Sequence, residues 1–393
     1  MQKKNFLPIL ALAVGHLVTD LQAGALPIVL PHLKELFTLS YSQLAAIVLT
    51  QNITSSVIQP VFGYITDKRS MPVLLPFCAA MAGAGFAAIG WVSSYTLILL
   101  TVIIIGIASA TYHPQASKTV KFLSDENSKA KNMGIFSLGG NAGMAVGSIL
   151  MTFLIGLQDG IHNTMYFILP GLLVFGLMMK YMPDYKRVNA EHSLKKAAVQ
   201  IKAASEKLSY TGMFILLFFI FMRSTIHTGL STYLPLFFMK FRGSCKHFAS
   251  ALVFGILLGG VAGTYTGAVL SDRLGARRII LGSIILSIPT IWLISHAGTE
   301  IGAMLAVVAS GFFIIGSFAT TIVLAQTMLP DNVGMAAGLT IGFSVGMGGF
   351  GVTILGFIAD NFGLPLVMQI VTWLPVAAAI IALKIPIPAS LRK

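Results

Sequence analysis

Charge is what this sequence has least of. Only 10% of its 393 residues are charged and 13 are acidic, whereas about a quarter of a soluble domain is charged. So few charges cannot cover a water-exposed surface, and the 56% of residues that are hydrophobic are expected to meet lipid. Cysteine is scarce too: Cys78 lies in an apolar run and Cys245 in a predicted loop, so no disulfide framework is implied. His-Glu-x-x-His is missing, and the one match to Gly-x-Ser-x-Gly, Gly342-Phe-Ser344-Val-Gly346, lies inside a continuous apolar run with no strand before it, which leaves an intramembrane enzyme without its usual metal or nucleophile constellation. No metal or cofactor is expected. The glycine runs at 139–147 and 342–351 follow no strand and lead into no Gly-Lys-Ser/Thr, so they are not phosphate loops. No small-residue cleavage site follows Lys3 and Lys4, so the first apolar run reads as an anchor rather than a cleavable signal.

What the chain does have is a succession of continuous apolar runs, each about as long as the roughly 20 residues a helix needs to cross a bilayer. Barrel strands would alternate apolar and polar residues instead. The pattern predicts an all-α membrane protein of 12 transmembrane helices near 6–34, 41–66, 71–93, 95–122, 128–156, 162–182, 209–239, 247–271, 277–296, 300–328, 333–359 and 363–386. The charged stretch 183–208 separates them into an N-terminal six-helix bundle over 1–182 and a C-terminal one over 209–393. It is predicted to be a partly helical cytoplasmic linker.

The net charge of +13 is explained by topology. With an even number of spans both termini share one side, and 21 of the 26 basic residues fall on it. Lys34, Lys240, Arg242 and Lys246 fall on the other, and Arg223 lies within a helix. Cytoplasmic loops carry the Lys and Arg excess, so both termini are predicted to be cytoplasmic and no nucleic-acid partner is needed.

A shift of about 205 residues superposes Asp67-Lys68 on Asp272-Arg273, Leu30-Pro31 on Leu234-Pro235, and one glycine-rich helix near the other. Two pseudo-symmetric six-helix halves of this kind are the architecture of major facilitator transporters, whose substrate site lies between the halves near the midplane. The repeated loops read Gly63-Tyr-Ile-Thr-Asp67-Lys68-Arg69 and Ala268-Val-Leu-Ser-Asp272-Arg273-Leu-Gly-Ala-Arg277-Arg278. They resemble the superfamily's signature loop, with the trailing Gly-Arg-Arg missing from the first copy and Ala268 standing for glycine in the second. Gly63, Asp67, Lys68, Asp272, Arg273 and Arg277 are the predicted conformational switch. An aspartate there can cap a helix N-terminus or pair with a cation.

Within the first helix, His16 and Asp20 stand four apart on one face, about mid-membrane at 1.5 Å per residue. A carboxylate at that depth is costly unless it faces water or is protonated, which suits proton coupling. Arg223 and His227 are their pseudo-equivalents in the seventh helix. Arginine keeps its proton and makes forked contacts to carboxylates or phosphonates, so both residues are candidates for substrate binding. Pairing of Arg223 with Asp20 is an equal alternative. Gln51 and Asn52 of helix two, Asn141 of helix five and Gln326 of helix ten offer neutral hydrogen bonds to a substrate or between helices. His113-Pro114 can bend the fourth helix and act as a gate.

Beyond the shared loop, the chain resembles the fosmidomycin-resistance family of bacterial exporters. The matching stretches are Gly15-His-Leu-Val-Thr-Asp20, Gln59-Pro-Val-Phe-Gly-Tyr-Ile-Thr-Asp-Lys68 with Met71-Pro72, His113-Pro114 and Phe136-Ser-Leu-Gly-Gly-Asn141. In the second half they are Ala325-Gln326, Leu329-Pro330, Gly334-Met335 and Gly346-Met-Gly-Gly through Gly356-Phe-Ile-Ala-Asp360. The resemblance implies a monomer in the bacterial inner membrane that exports a small drug or metabolite, with a phosphonate as family substrate, in exchange for protons. Gln115 and Thr327 stand where acidic residues are expected in that family, and Gly147-Ser148 where exporters often have Gly-Pro. The expected function is therefore proton-coupled antiport by alternating access, with small molecule, protons and lipid bilayer as partners. A proton-coupled importer of a small organic anion is the alternative.

Overall fold

A computed structural model describes residues 5–39, 41–200 and 210–391. Lys3, Lys4, the linker residues 201–208, Arg392 and Lys393 lie outside the described residues. The described chain is helical throughout, with no strand. In order, the helices are α1 (Phe6–Leu36), α2 (Tyr41–Asn52), α3 (Gln59–Lys68), α4 (Leu74–Ile89), α5 (Tyr95–Leu123), α6 (Lys129–Ile155), α7 (Ile168–Lys180) and α8 (Met182–Gln200). They continue as α9 (Tyr210–Phe241), α10 (Lys246–Leu274), α11 (Ala276–His296), α12 (Glu300–Ile315), α13 (Phe318–Met328), α14 (Val333–Phe362) and α15 (Leu364–Leu383).

All twelve predicted spans appear. Among the described residues ten helical runs are long and apolar enough to cross a membrane, 160–180 and 300–328 each counting as one. The other two are the 16-residue α4 and the run made by α2 and α3. That run is interrupted by a π turn over Ile53–Val57. Its cause is Pro60 near the start of α3, whose ring has no N–H and collides with the carbonyl four residues back, so the turn widens. The span at 300–328 is broken differently, at Gly316-Ser317 between α12 and α13. Pro114 leaves α5 unbroken, since the helix runs on to Leu123.

The chain forms two compact units. Unit 1 comprises residues 1–126, 135–207 and 330–342; unit 2 comprises 127–134, 208–329 and 343–393. In unit 1, α4 packs against α5 and α7 and all three contact α1. Leu26, Val29, Phe86, Val102 and Phe167 are buried at its centre. The helix α8, within the predicted linker, docks on this unit. Tyr185 donates to the Pro8 carbonyl at 3.0 Å, Asn189 donates to Thr119 at 3.2 Å, and His192 stacks on Phe122 with centroids 3.8 Å apart. In unit 2, α12 packs on α10 and α11, and α15 on α9 and α11. Large apolar side chains such as Leu173, Phe214 and Ile301 face outward at 70–76% exposure, as a lipid solvent demands.

Candidate functional site

Unit 1 carries a buried cluster built on α1 and α5. Four residues make slightly more than one turn, so His16 Nε2 comes within 3.1 Å of Asp20 Oδ2. Across from them α5 presents His113, with Nε2 3.0 Å from Asp20 Oδ1. Both histidines are buried, while Asp20 is half-buried. His113 Nδ1 lies 3.2 Å from Gln59 Nε2 and 3.2 Å from Ser109 Oγ. Only Ile58 separates Gln59 from the π turn, so the irregularity that Pro60 imposes sets where this amide points. Sequence spacing points to His16 with Asp20; the third member, His113 of the predicted gate, is brought to them by the packing of α5 on α1.

The hydrogen positions in this cluster follow from its partners. His16 Nδ1 lies 2.7 Å from the main-chain carbonyl of Phe136 on α6. A carbonyl oxygen only accepts, so Nδ1 carries a hydrogen. In a neutral ring Nε2 is then a bare acceptor, and it faces Asp20 Oδ2, which in an ionised carboxylate is also an acceptor. Two lone pairs do not make a contact of 3.1 Å in a buried site, so one further proton occupies it, on the imidazole or on the carboxyl. His113 differs: the Gln59 amide nitrogen only donates, so Nδ1 accepts and Nε2–H donates to Asp20. The cluster therefore places a proton between a defined pair of atoms, His16 Nε2 and Asp20 Oδ2.

Unit 2 carries a buried guanidinium. Arg223 on α9 is 1% exposed. Nη1 donates to Ser317 at 3.3 Å and Thr321 at 3.2 Å, and Nη2 donates to Ser344 at 3.4 Å. The helix break before α13 is what brings the Ser317 hydroxyl to this position. The rings of Phe318 and Phe219 lie 5.3 Å and 5.9 Å from the guanidinium carbon. Within this unit, and among the described residues, no carboxylate pairs with Arg223. Hydroxyls and π faces stabilise a cation without neutralising it.

The remaining sequence candidates are dispersed. His227 is half-buried one turn beyond Arg223, Gln51 and Gln326 are buried, Asn52 is exposed and Asn141 is half-buried. Among the described residues Gln51, Asn52 and Asn141 make no hydrogen bond to either cluster.

The two signature loops make closely parallel contacts, each within one unit. Asp67 accepts from the backbone N–H groups of Gly334 and Met335, at 2.9 Å each, at the start of α14. Asp272 accepts from Ala130 and Lys131 at 3.0 and 2.7 Å, at the start of α6. The cation beside Asp67 is the buried Lys118, 3.5 Å away. Lys68 is exposed, over the Tyr64 ring. Arg273 is exposed, and Arg277 donates to the carbonyls of Leu383 and Ile385. A side chain on Gly63 would collide with the Gly334 backbone, and one on Gly134 with the methyl of Ala268. The second loop thus tolerates alanine because its partner helix supplies the glycine.

Comparison with known proteins agrees with this architecture. The family model described as "Major Facilitator Superfamily" matches residues 12–341. The fosmidomycin resistance protein of Escherichia coli K12 is 30% identical over 365 residues, covering 93% of this chain and 89% of that protein. YfnC of Bacillus subtilis 168, an uncharacterized MFS-type transporter, is 31% identical over 389 residues, covering 98% and 94%. The fold is shared with the transporter FucP in its outward conformation, at a TM-score of 0.75, 16% identity and coverage of 98% and 100%. It is also shared with the proton:xylose symporter XylE, at a TM-score of 0.74, 15% identity and coverage of 99% and 97%. A match over most of the chain, two relatives spanning nearly its whole length and an all-helical multi-pass fold together make this protein a member of the major facilitator superfamily of membrane transporters.

Proposed function

We propose that this transporter exports a small anionic solute, a phosphonate of the fosmidomycin kind, in exchange for protons. The observation that carries the proposal is the contact between His16 Nε2 and Asp20 Oδ2, which needs a proton that neither a neutral imidazole nor a carboxylate supplies. Proton coupling requires a group that is stable with and without its proton at membrane depth, and a carboxylate flanked by two imidazoles meets that requirement. In the cycle, Asp20 and His16 take up the proton on one side and lose it on the other, while His113 holds the carboxylate in position. Arg223 anchors the anion, and its hydroxyl neighbours orient the guanidinium fork. Asp67 and Asp272, each capping a helix N-terminus, latch the alternating states. The protein resides in the bacterial inner membrane with both termini cytoplasmic and acts as a monomer.

The test is fosmidomycin accumulation and tolerance in a sensitive bacterium expressing wild type or Asp20→Asn at equal membrane abundance. Lower accumulation with wild type and none of that effect with Asp20→Asn is expected. No protection by the wild type would overturn the substrate, and equal protection by both would overturn Asp20 as the proton carrier.

A further inference from the structure

The glycine-rich face of α6 lies along α1. A side chain on Gly139, Gly143 or Gly147 would run into the main-chain carbonyl of Ala13, Leu17 or Leu21 respectively. Gly140 is turned differently. The atoms a Cβ there would meet first are side-chain atoms: it would collide with His16 Nε2 and come within 2.6 Å of His16 Cε1 and 2.8 Å of Asp20 Oδ2. The space a side chain would take at this glycine therefore adjoins the two atoms that share the proton. One turn earlier on the same face, the Phe136 carbonyl fixes the tautomer of His16.

We infer that Gly140 is a positioning residue of the proton site, its missing side chain being what allows His16 and Asp20 to share a proton. The inference rests on the proton-coupled reading above. From α5 the titratable groups facing the contact are His113 and Tyr112, whose ring centroids lie 4.7 and 6.4 Å from that of His16. Tyr112 donates to the Leu12 carbonyl. The face of α6 presents the Phe136 ring, its carbonyl and Gly140, with no ionisable side chain. A methyl group at 140 forces the imidazole and carboxylate apart and leaves the backbone seam intact.

The experiment compares Gly140→Ala with two other alanine variants in proteoliposomes. Gly143→Ala disturbs the α1–α6 seam at the Leu17 backbone. Gly176→Ala on α7 has nothing within 4 Å of the new methyl. Two readouts are taken with fosmidomycin: transport driven by an imposed pH gradient, across a range of pH, and substrate counterflow at equal pH. For Gly140→Ala we expect gradient-driven transport to fall at least about tenfold, the order set by losing one charge-assisted hydrogen bond. Its half-maximal pH should move by about one unit, with counterflow within about twofold of wild type. Gly143→Ala should lose both activities together without a pH shift. A Gly140→Ala profile that matches wild type, or that tracks Gly143→Ala, overturns the inference and leaves the proton reading standing. A wild type whose transport ignores the pH gradient overturns the reading itself. If Gly140→Ala does not accumulate, the double variant with His16→Ala decides: recovery of folded protein supports the collision with His16, and continued absence refutes it.

Discussion

Replacing Arg223 by lysine keeps the positive charge and removes the fork. The guanidinium uses two nitrogens, one for Ser317 and Thr321 and the other for Ser344, while an ammonium concentrates its donors on a single atom that cannot reach both sides. At least one charge-assisted hydrogen bond to a bound oxyanion is then lost, together with its orientation. Such a bond contributes about 1.5–3 kcal/mol, and at about 1.4 kcal/mol per tenfold the apparent KM for an anionic solute should rise about 10- to 150-fold. Arg223→Gln, which also removes the charge, should lose more. The maximal rate at saturating solute should change little for lysine if binding is all that is affected. Counterflow in proteoliposomes at fixed pH measures both quantities, with fosmidomycin beside an uncharged phosphonate ester of it. An unchanged KM in Arg223→Lys, or an equal rise for acid and ester, would refute the assignment of Arg223 as the anion anchor.

Asp67→Ala leaves the buried Lys118 without its carboxylate and frees two helix N-terminal N–H groups. We expect a loss of about 3–5 kcal/mol, the size seen when one partner of a buried pair is removed, read as a lower melting temperature in detergent. Partial recovery on adding Lys118→Met is the expected sign of the pair, and its absence would show that the cap alone matters. Pro60→Ala removes the cause of the π turn, so the turn should tighten and swing Gln59 by up to about 100°, one residue of helical rotation. Gradient-driven transport should fall several-fold while counterflow persists, and a variant with normal coupling would separate Gln59 from the proton site.

The twelve spans were legible because lipid demands long uninterrupted apolar runs, and nothing else in a chain of this length produces them. The interruptions were less so. Pro60 was visible, but a proline near a helix start is ordinary, and its effect on the preceding turn depends on the helix continuing through it. Gly316-Ser317 carries no mark that separates a mid-span break from the many unbroken glycines elsewhere. At the candidate site, His16 and Asp20 were found because their spacing is local. The contact of His113 with Asp20 is not legible because the two lie 93 residues apart, and one sequence contains no distances. The Phe136 carbonyl that fixes the His16 tautomer could not be found, since main-chain atoms are common to every residue. Ser317, Thr321 and Ser344 were passed over because small hydroxyl residues are frequent in membrane helices and only the fold singles out these three.

The exchange of small residues between the two signature loops bears on how this chain could change. In the first loop glycine faces glycine, Gly63 against Gly334; in the second, Ala268 faces Gly134. The requirement is shared by a pair of positions on different helices, and the second pair satisfies it with a single glycine. A lineage could move the methyl from one side of that seam to the other only by way of a glycine–glycine intermediate, because alanine on both sides would force the helices apart. Related sequences should therefore show the two positions varying together, and a motif written along one loop will miss members that keep the glycine on its partner.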